Sequence, residues 1–166
     1  MTIAAIAQPV HHPRRVKRTL DWHAGGIAGI IGGMAFMAIE ATAAALAGHG
    51  AVWQAPREIA AILFGGLIEG RPIGLVVAIA ILFHLSLSLF YGRALAYVLF
   101  KRGNRHWLQI GLLFGLGLYI VNYYLLGAFI PRIAAARSAA WLFCHLGFGA
   151  VAAGAYTRLE RPSEEL

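Results

Sequence analysis

"IGLVVAIAILFHLSLSLFY", residues 73–91, sits in a stretch with no Asp, Glu, Lys or Arg from Pro72 to Gly92. A bilayer core is crossed by about 20 apolar residues in a helix, so this segment reads as a membrane span. Pro72 suits its start, because a first-turn residue has no helical partner for its N–H. The apolar character resumes after Arg93, and the span is placed at about 72–100.

Working outward, three more runs have the same length and character, at about 24–48, 107–130 and 138–157. Asp21 is placed to cap the first helix, and Pro131 reads as the marker that ends the third. Between the first two spans lies "HGAVWQAPREIAAILFGGLIEGR", residues 49–71, whose apolar run covers only Ile59 to Ile68. That run is too short to cross. With Pro56 in a first turn and Trp53 at a boundary, it predicts a short interfacial helix over about 56–69. The expected fold is an all-α integral membrane protein, a four-helix up-down-up-down bundle over 23–158. Flanking it are a basic tail over 1–22 and a short tail over 159–166.

The totals agree with this class. The 166 residues are 60% apolar and 13% charged, against about 25% charged in soluble domains, and the mean hydropathy is +0.70. A soluble fold of this size has no interior large enough for that much apolar surface. The net charge of +7 would suggest nucleic acid in a soluble chain. Here the basic residues flank apolar runs, so phospholipid headgroups and topology explain them, and no nucleic-acid partner is expected. Cys144 is the one cysteine, which excludes a disulfide framework and a cysteine-based metal cluster. The long first run and its weak cleavage candidate, "AALAG", read as an anchor that is not removed.

Orientation follows from Lys and Arg. Arg14, Arg15, Lys17, Arg18, Lys101, Arg102, Arg105, Arg158 and Arg161 fall on one side, nine in all. Arg57, Arg71, Arg132 and Arg137 fall on the other. Both termini are therefore expected in the cytoplasm of a bacterium, with the bundle in the inner membrane.

Each span carries one conspicuous polar residue: Glu40, His84, Asn122 and His145. Ionisable groups at such depth are costly and usually face a bundle interior or a functional path. Counting inward from Arg71, Arg132, Arg137 and His49 puts three of them level and His84 deeper by about one turn, roughly 5 Å. Gly29, Gly33, Phe36, Glu40, Ala43 and Ala47 form one helical stripe, and Gly111, Gly115, Leu118 and Asn122 form another. Small residues at four-residue spacing let membrane helices approach closely. Gly29, Gly33, Gly111 and Gly115 are thus the expected packing positions, and Phe36 must find a gap in a neighbouring helix. Glu40 is expected to meet a histidine or Asn122 within the bundle, or to carry a proton. Trp107, Tyr123 and Tyr124 read as interface or lipid-facing aromatics.

Three readings of the four polar residues follow. In the first they are a hydrogen-bonded structural cluster with no cofactor. In the second His84 and His145, on diagonal helices, hold one haem b, with glycines on the other two helices making room and a quinone nearby. This is similar to one haem layer of four-helix cytochromes b, although those families usually carry two histidines per ligand helix. In the third Glu40 and the histidines form a proton or ion path. A metal site from Glu40, His84 and His145 has suitable ligand types, but no zinc-motif spacing supports it.

"GGIAGIIGGMAFM", residues 25–37, and "WQAPREIAAILFG", residues 53–65, resemble segments of a group of uncharacterised small four-span bacterial inner-membrane proteins. The resemblance implies the same topology and setting, and no activity. The segments outside the spans are too short for a catalytic domain. The function expected first is therefore a non-catalytic accessory subunit of a larger membrane complex, of respiratory or electron-transfer type, bound to other membrane subunits through the Gly/Ala stripes.

Overall fold

A computed structural model describes residues 19–46 and 54–161. The basic tail over 1–18, His49, Trp53 and the last five residues lie outside them. The described chain is helical, with no strand, and four of its helices are long and apolar enough to cross a membrane.

Helix α1 is Trp22–Leu46. Asp21 caps it, its Oδ1 accepting from the Ala24 N–H at 2.8 Å. The side chains are distributed inside out. Ala24, Gly25, Ala28, Gly29, Gly32 and Gly33 are buried, while Ile27, Ile31 and Met34 are exposed. Lipid solvates large apolar side chains as well as a protein core does, so helix contacts are left to small residues that bring backbones together.

Helix α2, Gln54–Phe64, runs into a 3-10 turn at Gly65–Ile68. At 11 residues it is about 16 Å long and cannot cross. It packs on α3 and buries Ala60 completely. Helix α3, Ile73–Arg102, follows directly from Pro72 and spans 30 residues. It stops at Gly103, whose φ of +82° would strain any other residue.

The third span departs from one regular helix over 107–130. A 3-10 turn at Asn104–His106 leads into α4, Trp107–Ile120. The helix then widens into a π turn at Val121–Leu125 and tightens into a 3-10 turn at Leu126–Ala128. Pro131 does more than mark an end. Ile130 before it is extended, as a residue preceding proline prefers, and Pro131 opens a further short helix, α5, Pro131–Ala135. Helix α6 is Ala139–Leu159, capped by Ser138, whose hydroxyl accepts from the Trp141 N–H at 3.3 Å. Asn104 and Glu160 hydrogen-bond across the foot of α4 and α6.

Neighbouring spans run antiparallel. α1 packs extensively on both α3 and α6, and α4 packs on α6, whereas α3 meets α4 at few places. Three sides of a four-helix ring are closed and the α3–α4 side is loose. The tightest crossings are backbone on backbone. A Cβ added at Gly29 would overlap the Ser88 carbonyl and come within 2.8 Å of the Gly92 Cα. On the other pair, a Cβ at Gly111 would overlap the Gly149 carbonyl, and one at Gly115 the His145 carbonyl.

Candidate functional site

Phe36 stands at the centre of the bundle, one helical turn from Gly33 and buried at 8% exposure. Its ring centroid is 5.0 Å from the imidazole of His84 and 5.0 Å from that of His145, and 5.7 Å from Trp141. Both histidines therefore pack on one ring, His84 beside Gly33 of α1 and His145 on the opposite pair of helices.

Each histidine has defined partners. His84 Nε2 lies 3.1 Å from the carbonyl oxygen of Gly33, so this nitrogen carries the proton and donates to α1. Gly33 has no side chain to block the approach. The Ser88 hydroxyl donates to the His84 carbonyl at 2.7 Å. In α6 the His145 Nδ1 donates to the Trp141 carbonyl at 2.7 Å. That leaves Nε2 as an acceptor, and the Asn122 amide donates to it at 3.1 Å. His145 is thus a neutral imidazole with both nitrogens engaged, linking α6 to the π turn of the third span.

Aromatic rings complete the shell. Tyr119 and Tyr123 each lie 5.7 Å from the His145 ring, edge-on, a geometry that suits the quadrupoles of such rings. Tyr123 is only 7% exposed, so it is a core residue, contrary to the lipid-facing role read from sequence. Its neighbour in the π turn, Tyr124, is exposed, and the Arg137 guanidinium sits 5.1 Å over its ring. A signal was present: Tyr119 lies three residues before Asn122 and four before Tyr123, spacings at which it neighbours each of them on the helix surface.

Glu40 stands apart from this cluster. It makes no hydrogen bond or ion pair to His84, Asn122 or His145 among the described residues. Phe36 occupies the space between the imidazoles, and Glu40, four residues farther along α1, lies about 6 Å beyond it. There it lines a cleft of about 710 Å³ between α1, α2, α5 and α6, with Glu58, Arg132, Arg137, Trp141 and Cys144. Cys144 and His145 are adjacent in sequence and serve different spaces, the cleft and the aromatic cluster.

The arrangement does not fit a haem between His84 and His145. The Phe36 ring fills the gap, both His145 nitrogens are bonded, Gly29, Gly111 and Gly115 are closed over by the backbones of α3 and α6, and Gly33 is covered by the Ser88 and His84 side chains. Among the described residues no three His, Cys, Asp or Glu side chains stand close enough to hold a metal ion. What the geometry can do is pin four spans together through neutral hydrogen bonds around one aromatic ring.

No family model, no curated protein and no solved structure matches this chain.

Proposed function

We propose that the chain is a non-catalytic accessory subunit of a larger complex in a bacterial inner membrane, with both termini in the cytoplasm. One observation carries the reading. Three of the polar groups within the spans, His84, Asn122 and His145, make hydrogen bonds that hold the helices in pairs around Phe36. Polar side chains committed to packing in this way support a scaffold more than a reaction centre. The helices between the spans add to it, since α2 and α5 are 11 and 5 residues long and form no separate domain. The loose α3–α4 side is where a helix of a partner subunit would pack. The orientation rests on the nine basic residues grouped at one end of the spans against four at the other.

Extraction of the untagged protein from its native membrane in mild detergent tests the proposal. It should migrate in a large, stable assembly with other chains, and redox subunits among them would identify an electron-transfer complex. Recovery as a lone monomer or a simple homo-oligomer would contradict it.

A further inference from the structure

The cleft between α1, α2, α5 and α6 is a space that packing does not consume, and it holds charges of both signs. Glu40 and Glu58 line it from one side, Arg132 and Arg137 from the other. No ion pair joins either carboxylate to either guanidinium. At the end of a membrane bundle, where the dielectric falls, opposite charges sharing one cleft attract strongly and ordinarily close on each other. Here they are held apart by their helices. Arg137 is fixed by its Nε–H, which donates to the Ala134 carbonyl at 2.9 Å, and by the Tyr124 ring beneath it. Its terminal N–H groups remain to serve a ligand. Glu40 is half-buried at the inner end, on the membrane-spanning helix, whereas Glu58 is exposed.

The occupant that satisfies such a cleft carries an anion and a cation a short distance apart. Among the described residues the remaining lining is chiefly alanine with Trp141, so the rest of the bound molecule is apolar. The cation must also be small and rich in N–H, because a carboxylate flanked by alanines is satisfied by charge-assisted hydrogen bonds. We propose that this cleft binds the headgroup of an aminophospholipid, its phosphate on Arg132 and Arg137 and its ammonium on Glu40. The volume, about 710 Å³, lies in the usual range for ligand sites, about 300–1,000 Å³. A glycerol headgroup offers Glu40 no cation, and a trimethylammonium headgroup offers it no N–H.

The test is native mass spectrometry of the full chain in mild detergent with dioleoyl phosphatidylethanolamine, phosphatidylglycerol and phosphatidylcholine at equal concentrations. Phosphatidylethanolamine should be retained about tenfold better than either of the others, the factor expected for one charge-assisted hydrogen bond set. Glu40→Gln, which keeps shape and removes charge, should abolish that preference. Arg132→Gln with Arg137→Gln should lower retention of phosphatidylethanolamine about tenfold. Glu69→Gln, outside the cleft, should change nothing. Equal retention of phosphatidylglycerol would overturn the proposal, as would a preference that survives Glu40→Gln or falls equally with Glu69→Gln. Soluble phosphoethanolamine binding as tightly as the lipid would overturn the lipid assignment. The readout is lipid bound per chain, so it fails or succeeds independently of the assembly that tests the subunit reading.

Discussion

Replacing Phe36 with alanine removes the ring on which the centre of the bundle is built. In a water-soluble core Phe→Ala costs about 3–5 kcal/mol, part of it the loss of transfer from water. In a bilayer the separated helices remain in hydrocarbon, so most of that transfer contribution is absent. What is lost is contact. The ring lies 5.0 Å from two imidazoles and 5.7 Å from an indole. Each ring carbon forfeits several contacts of about 0.1–0.2 kcal/mol, and the aromatic pairs add about 0.5–1.5 kcal/mol. The expected destabilisation is about 2–3 kcal/mol for Phe36→Ala, and about 1 kcal/mol for Phe36→Leu, which refills most of the volume. Reversible unfolding in mixed micelles, followed by tryptophan fluorescence with Trp22, Trp53 and Trp107 replaced by phenylalanine so that Trp141 beside the ring reports alone, measures both. A loss below about 0.5 kcal/mol for Phe36→Ala would refute the reasoning, because the ring would then not be the element that the histidines pack on.

Further consequences can be checked in the same assay. Gly29→Leu should separate α1 from α3 and abolish stable folding, since its first side-chain carbon already overlaps Ser88 and Gly92, whereas Gly74→Ala, with open space around it, should be neutral within about 0.5 kcal/mol. Asn122→Ala should cost about 0.6–1.7 kcal/mol, the range for interhelical hydrogen bonds in membranes, and a double-mutant cycle with His145→Phe should return most of that value as coupling. Asp21→Ala should cost about 1 kcal/mol through loss of the α1 cap. It should speed hydrogen exchange in the first turn of α1 alone, and faster exchange around Phe36 would contradict the local role.

The four spans were legible because length and apolarity are set by bilayer thickness, a constraint read directly from runs such as residues 73–91. The cap at Asp21 is local chemistry and was equally readable. The glycines at four-residue spacing on α1 and α4 lie where the structure brings backbones together, since helical period alone decides which residues share a face. Less could be read at Val121–Leu125. A π turn has no strong composition signal, and it holds the buried Tyr123, the exposed Tyr124 and Asn122, which bonds His145. α5 was hidden because Pro131 follows one helix and opens the next. Glu40 was the largest departure. Stripe membership shows which side of α1 it occupies, but not that Phe36 on the same stripe would take the space between the histidines. That outcome depends on where α3 and α6 cross α1, which the sequence of α1 does not contain.

His145 is a neutral hydrogen-bonding partner in the packed core around Phe36. The nitrogen-15 shifts of His145 in the labelled protein in lipid, at neutral pH, test it most directly. The expected spectrum has a protonated Nδ1, bonded to the Trp141 carbonyl, and an unprotonated Nε2 that accepts from Asn122. A proton on Nε2, or an imidazolium with protons on both nitrogens, would contradict it.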